Sequence, residues 1–207
     1  MCFFFSIKKR LLFWELAKAF PKEYRADVEA VCRALPVVKS VAYGGALCSE
    51  GEKEWRLLSG EKIVMPYRIY VQDTLIFPNG LTSRQKLIYH CIFSRSYDGY
   101  VRQRHVEALL DATPPEWAMP YIIKLCDEYV KEILEVVYQK LKGNDCRQYK
   151  ALCERNFDEF KRGHSRMINY WSVFYRYDCY NYKEYIGKKL YQECFGYRKT
   201  GQKNIEY

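Results

Sequence analysis

Three arginines stand close together in the stretch SRSYDGYVRQRHVEALL, and a fourth, Arg84, lies shortly before it. Guanidinium groups bind phosphate and carboxylate groups through several hydrogen bonds at once. We therefore expect Arg84, Arg95 and Arg104 to contact a phosphate or an acidic partner. Arg102 lies about 200° from Arg104 on a helix, so the two cannot face one target, and Arg102 is expected to pair with Asp98. The cluster predicts a basic surface beside a helical turn, not a pocket.

Aromatic residues provide the second candidate contact region, because nine of the 20 tyrosines lie between Tyr170 and Tyr207. In this region aromatic and basic side chains alternate, which suits base stacking by single-stranded nucleic acid or a protein hot spot. Tyrosines also fill the edges of helical cores, and this explanation stays open beside the other two. Arg166, Trp171 and Tyr175 are the residues predicted to contact a partner here.

Catalytic and metal chemistry finds little support in the sequence. The nine cysteines are scattered without metal-ligand spacing, and the three histidines are expected to be structural. The sequence contains no motif of a phosphate-binding loop or of a nucleophile elbow, and no pair of carboxylates at a useful spacing. An enzyme with a Cys/His centre would need Cys91 or Cys126 to meet His105 or His164 in space. We therefore predict no catalytic residue, no cofactor and no metal site.

The hydrophobic pattern predicts a mainly α protein with a small antiparallel β-meander, that is, an α+β fold. Two helices are expected first, and the meander follows over residues 37–77. In the meander we expect a hairpin around a Gly-Gly turn, and then two strands turned at Ser59-Gly60, with Pro66 ending the second strand or forming a bulge in it. The remainder is predicted to be helical, as a bundle or a short stack.

The helical part begins where Thr82 or Ser83 can cap a helix. A long run over 146–176 keeps one apolar face, with Gly163 as a candidate kink, and a last helix is expected over 182–195. We predict an N-terminal part at 1–80, a helical domain at 81–196 and a tail at 197–207. The first two parts can also pack as one globular unit.

Two segments of the helical part are alike, DGYVRQRHVEALL from Asp98 and DEYVKEILEVVYQKL from Asp127, at a spacing of 29 residues. With the preceding PYIIKLC, residues 80–142 resemble HEAT-like repeats, in which a proline-containing helix is followed by an Asp turn and a Val-Arg pair. The resemblance implies a helical scaffold whose surface binds another macromolecule, and it implies no catalytic residue.

A helix-turn-helix is a sharper alternative for the same helices. Its recognition helix would need to offer Arg, Lys, Asn or Gln to base edges, but it offers Glu116, Trp117 and Met119 in its first turn. Sequence-specific DNA binding is therefore not favoured. The net charge of +9 still permits nonspecific attraction to phosphate or to acidic protein surfaces.

The N-terminal stretch MCFFFSIKKRLLFWELAKAF places its cations after a short apolar run, unlike a signal peptide, and the run is too short to span a bilayer. It predicts a docked first helix rather than a helix bound at a membrane surface. We expect a cytoplasmic, non-enzymatic interaction module with a protein partner and no membrane association. Nucleic-acid binding through the basic region 84–104 and the tyrosine-rich end is the alternative. The enzyme with a Cys/His centre is the second.

Overall fold

The computed structural model describes residues 7–35, 40–42, 45–49, 51–73 and 78–198. Their contacts divide the chain into two compact units, Met1–Leu125 (unit 1) and Cys126–Tyr207 (unit 2). The elements are mostly helices with one small antiparallel sheet, which confirms the predicted fold class. The predicted division near residue 80 stays a prediction.

Unit 1 contains five α-helices and one strand pair among its described residues, besides short 3-10 turns. Their bounds are α1 Ile7–Leu16, α2 Arg25–Ala34, β1 Glu52–Arg56, β2 Lys62–Pro66, α3 Ser83–Phe93, α4 Gly99–Asp111 and α5 Met119–Leu125. Helix α3 contacts both α2 and α4, and α1 contacts α2. Fully buried apolar side chains from all of these elements form the core of the unit, among them Leu12, Val28, Ile63, Ile88 and Leu109.

Caps and turns form where the sequence predicts them. Thr82, not Ser83, caps α3: its hydroxyl accepts from the main-chain N–H of Gln85, whose side chain accepts in return from the Thr82 N–H. In the sheet, Trp55 pairs with Ile63, and Gly60 takes a φ of +93° at the turn between the strands. Part of the predicted Gly-Gly hairpin, at 43–44, lies outside the described residues.

The regular elements of unit 2 are all helices among its described residues, with α6 Lys131–Leu141, α7 Arg147–Arg155, α8 Phe157–Tyr170 and a short α9 Ile186–Lys189. The predicted continuous run over 146–176 is wrong, because the helix is interrupted at Asn156. The Asn156 side chain donates to the carbonyl of Leu152 at 2.9 Å, and its φ of −113° and ψ of +37° leave the helical region. Helix α8 runs through Gly163, and π-helical turns follow α8 at Trp171–Tyr175 and α9 at Leu190–Cys194.

The two aspartates of the repeat resemblance have different roles. Asp98 caps α4 by accepting from the N–H groups of Tyr100 and Val101 at 2.8 and 3.4 Å. Asp127 instead forms an ion pair with Arg166, and the N-cap residue directly before α6 is Val130. Helices α5 and α6 also belong to different units. The HEAT-like stack remains a prediction. Of the two aspartates, Asp98 caps the helix that follows it and Asp127 does not.

Across the described ranges, none of the helices combines the length and the apolar character needed to cross a bilayer.

Candidate partner-binding surface

Three aromatic rings meet in unit 2 where α8 ends. The ring centroids of Tyr129, Tyr170 and Phe174 are 6.1 to 6.3 Å apart in all three pairs. Tyr170 and Phe174 are four residues apart and therefore lie on the same side of the helix end. The π-helical turn at Trp171–Tyr175 sets the direction of the residues that follow.

Several large side chains around these rings are exposed. The fractions are 51% for Tyr129, 67% for Val173, 56% for Phe174, 96% for Tyr177 and 79% for Tyr180. We call these five residues the aromatic surface. Single exposed apolar residues are ordinary, but a concentration of this kind is typical of a binding site. Arg176 adds a cation, with its guanidinium 5.9 Å from the centre of the Tyr180 ring.

The predicted contacts Trp171 and Tyr175 are half-buried beneath this surface. The Trp171 indole donates to the carbonyl of Cys179 at 2.9 Å and packs on Tyr182 with ring centroids 4.8 Å apart. The Tyr175 hydroxyl donates to the carbonyl of Tyr129 and accepts from the main-chain N–H of Lys131. Both side chains therefore fix the positions of the exposed residues. Sequence spacing alone does not show which aromatic residues of this segment face solvent.

Arg166, the third predicted residue of unit 2, lies between two buried carboxylates. It forms ion pairs with Asp127 and with Glu159, the latter at 3.0 Å. Burial alone would lower the pKa of Arg166, but the charges of Asp127 and Glu159 raise it. The guanidinium of Arg166 is therefore held by two acids of its own unit, and contact of Arg166 with a partner stays a prediction.

The predicted arginines of unit 1 also bind groups of their own chain. Arg84 lies 3.3 Å from Asp27 and packs over the Tyr24 ring, and Arg104 pairs with Asp73. Arg95 is 1% exposed and donates to the carbonyl of Tyr67 at 2.5 Å, so the structure does not bring it to the surface. Since Arg84, Arg95 and Arg104 belong to unit 1, the six predicted contact residues do not all lie in one compact unit.

Arg102 braces the turn before α4. It is 1% exposed and donates to the carbonyls of Ser96 and Tyr97, both at 3.0 Å. The arginines of this stretch therefore include two that are buried and bound to main-chain oxygens. The stretch contains a turn, but Arg95 and Arg102 do not contribute to the basic surface that was predicted there.

A cluster of polar side chains that the sequence did not reveal joins α3, α4 and the segment after the sheet. His105 Nε2 lies 3.1 Å from the Asp73 carboxylate, which accepts from it, and His105 Nδ1 lies 2.8 Å from Nδ1 of His90. Tyr89 donates to the second Asp73 oxygen at 2.7 Å. We call Asp73, Tyr89, His90, Arg104 and His105 the Asp-His cluster. Asp73 precedes His105 by 32 residues, and no motif connects the two.

Burial and neighbouring charges set the protonation states in the Asp-His cluster. Burial, and then the electrostatic influence of His105, lower the pKa of His90 to about 4. Burial alone would raise the pKa of Asp73, but the hydrogen bonds from His105 and Tyr89 lower it below its ordinary value. The described residues hold no group of three or more His, Cys, Asp or Glu side chains able to bind a metal ion. In the Asp-His cluster, hydrogen bonds connect Tyr89, Asp73, His105 and His90 in one chain.

Unit 2 also contains an open pocket of about 440 Å³. Phe160 and Phe195 form its apolar wall, while Lys150, Glu154 and Arg198 contribute charges from exposed positions. Ligand sites usually hold a few polar groups inside the cavity, where they orient the bound molecule. The charged side chains that line this pocket are exposed to solvent. They are therefore less suited to orient a bound molecule, and the pocket is a weaker candidate site than the aromatic surface.

Comparisons with protein-family models, curated proteins and solved structures found no match to this chain.

Proposed function

We propose that this protein is a non-enzymatic interaction module that binds a protein partner through the aromatic surface of unit 2. The observation that carries the proposal is the exposure of Tyr129, Val173, Phe174, Tyr177 and Tyr180 around one helix end. Burying one such side chain against a partner contributes about 1.5 to 3 kcal/mol. Tyrosine and arginine are also the residue types that dominate binding energy at protein interfaces.

The surface has the chemistry of a hot spot with a polar surround. Tyr177 and Tyr180 present hydroxyl groups on largely exposed rings, and Arg176 lies beside Tyr180. A complementary partner would offer an apolar recess, acceptors for the hydroxyl groups and a carboxylate for the arginine.

Nucleic-acid binding remains the alternative, and the arginines of unit 1 support it less than their number suggests. Arg84 and Arg104 are paired with Asp27 and Asp73, and Arg95 is buried against the carbonyl of Tyr67. Contact with phosphate would compete with each of these pairs.

The second alternative, a Cys/His centre, is disfavoured by the state of the thiols. Burial raises the pKa of Cys91 and of Cys126 well above the ordinary value, so that neither is a thiolate near neutral pH. Nucleophilic cysteines require a lowered pKa and access to substrate.

The test is a quantitative capture experiment from lysate with and without nuclease. The native chain is compared with Tyr177→Ala/Tyr180→Ala and with the control Tyr100→Ala, since Tyr100 is an exposed tyrosine of unit 1. A protein captured by the native chain and the control, lost from the double variant and unaffected by nuclease, supports the proposal. Identical capture by all three chains contradicts it, and capture of nucleic acid alone favours the alternative.

A further inference from the structure

Helix α1 has apolar side chains on two opposite faces. Leu12, Phe13 and Leu16 are buried, and α1 packs against α2 with this face. On the other side Ile7 is 79% exposed, Leu11 54% and Trp14 55%. Because positions 7, 11 and 14 are four and three residues apart, these three side chains lie in one row along the helix. We call them the α1 stripe.

Cations lie on both flanks of the α1 stripe. At about 100° per residue, Lys8 lies to one side of Ile7 and Arg10 to the other, and both are exposed. The Arg25 guanidinium is a third cation, 4.8 Å from the centre of the Trp14 ring. Residues 7–18 contain four basic side chains against the single acid Glu15. The exposed face of α1 is therefore apolar along its centre and basic at its margins.

This combination fits the surface of a lipid bilayer. A helix that lies flat at the interface buries an apolar row among the acyl chains, keeps lysine and arginine at the level of the phosphates and favours tryptophan at the boundary. Long basic side chains on both flanks can reach headgroups on both sides of the helix. A groove in a protein would also accept the apolar row, but it would need acidic rims along both of its edges.

The sequence before α1 continues the apolar character of the stripe. Residues 3–5 are three consecutive phenylalanines, directly before Ser6 and Ile7. The binding of segments with this composition to bilayers increases with apolar area and with attraction to anionic lipid.

We infer that the α1 stripe, with Lys8, Arg10 and Arg25 at its margins, binds the surface of bilayers that contain anionic lipid. The stripe lies in unit 1 and the aromatic surface in unit 2, so this site is independent of the proposed protein-binding function. The sequence favoured a docked first helix over a surface-bound one. The structure shows that α1 is docked through one face while its other face is exposed.

The test is vesicle sedimentation of the full chain. Vesicles of phosphatidylcholine and phosphatidylserine in a two-to-one ratio are compared with vesicles of phosphatidylcholine alone. The variant Leu11→Ser/Trp14→Ser is compared with Val173→Ser/Phe174→Ser, which removes two exposed apolar side chains from unit 2. All four positions are exposed, so both variants should keep the native circular dichroism and Tm.

The expected result is binding to the anionic vesicles that weakens with salt and falls roughly tenfold or more in Leu11→Ser/Trp14→Ser. The unit 2 variant should bind like the native chain. Iodide quenching gives a second readout, because Trp14 is exposed whereas Trp55 and Trp117 are 1% and 7% exposed. Anionic vesicles should protect the iodide-accessible fluorescence of the native chain.

Three results would overturn the inference. The first is that the folded native chain fails to sediment with anionic vesicles. The second is that the two double variants bind these vesicles equally well. The third is a dimer, seen by sedimentation equilibrium, that Leu11→Ser/Trp14→Ser abolishes while vesicle binding is absent, and this result would assign the stripe to a second copy of the chain.

Discussion

Nδ1 of His90 lies 2.8 Å from Nδ1 of His105, and the opposite nitrogen of His105 lies 3.1 Å from Asp73. A neutral His105 can satisfy both contacts only if it donates to Asp73 and accepts from His90. The pair therefore connects α3 to α4 and to the segment after the sheet through both ring nitrogens of His105. Protonation of His90 below its pKa brings a charge close to Arg104 and to His105.

Acid should destabilise unit 1 through His90. An unfolded histidine binds a proton below about pH 6.5, whereas the folded pKa of His90 is about 4. Between these values the unfolded chain binds more protons, so the free energy of unfolding falls as the pH falls, by up to about 3 kcal/mol. Urea unfolding followed by tryptophan fluorescence at a series of pH values measures this loss. His90→Asn should flatten the dependence in that window, and an unchanged slope would contradict the assignment.

Asp73→Ala should destabilise unit 1 by about 3 kcal/mol, because it removes a buried acceptor shared by Tyr89, His105 and Arg104. Urea unfolding of the variant measures the change. Asp145→Ala is the matched control, since the Asp145 ion pair with Arg147 is exposed and should contribute little. Equal effects of the two substitutions would mean that the Asp-His cluster does not stabilise the fold.

Thr82→Ala should lower stability by about 1 kcal/mol through loss of the cap of α3. Ser83→Ala, one residue later, should have almost no effect because Ser83 is the first residue inside the helix. Thermal unfolding of the two variants distinguishes these positions. A larger loss in Ser83→Ala would reverse the assignment of the cap.

Gly187→Ala should destabilise unit 2 by about 1 to 3 kcal/mol. A methyl group at this buried position of α9 would lie 2.7 Å from the Tyr185 ring and 2.8 Å from the sulfur of Met167. Ser165→Ala, at an exposed position of α8, is the control. Hydrogen exchange of the α9 amides measures the effect locally, and unchanged protection would show that the neighbours move aside at no cost.

Cys179 should be the fastest thiol to alkylate among the described residues. Its side chain is half-buried, so a reagent can reach it. Cys48 and Cys194 should react more slowly, because burial raises the pKa of each thiol to about 12 and the thiolate is the reactive form. A time course with iodoacetamide at neutral pH, read by peptide mass spectrometry, tests this order. Rapid labelling of Cys91 or Cys126 would contradict it and would revive the Cys/His alternative.

Local chemistry explains which parts of the fold could be predicted from the sequence. The cap at Thr82 or Ser83, the turn at Ser59-Gly60 and the strand end at Pro66 depend on residues close in sequence, and each was located to within a residue. The interruption at Asn156 was missed because the apolar spacing continues on both sides of it. There a side-chain hydrogen bond to Leu152 competes with the helical pattern.

The candidate site could be predicted only as a segment. Tyr175 and Tyr177 have the same side chain two residues apart, and only the folded chain shows that one hydroxyl binds the main chain while the other ring is 96% exposed. The Asp-His cluster was not predictable because residues far apart in sequence meet through tertiary packing. Arg95 was expected at the surface because arginine usually is, and its burial against Tyr67 depends on the same long-range contacts.

The π-helical turn at Trp171–Tyr175 has a consequence for how the aromatic surface can change during evolution. Such a turn holds one residue more than an α-helical turn of the same length. Deleting one codon within it would restore the regular helical turn, and the residues after it would keep nearly the same direction because the extra residue is the one removed. Tyr177 and Tyr180 would therefore stay close to their present directions, although one residue of Trp171–Tyr175 would be lost. A one-codon deletion within the regular helix α8 would instead rotate everything after it by about 100°.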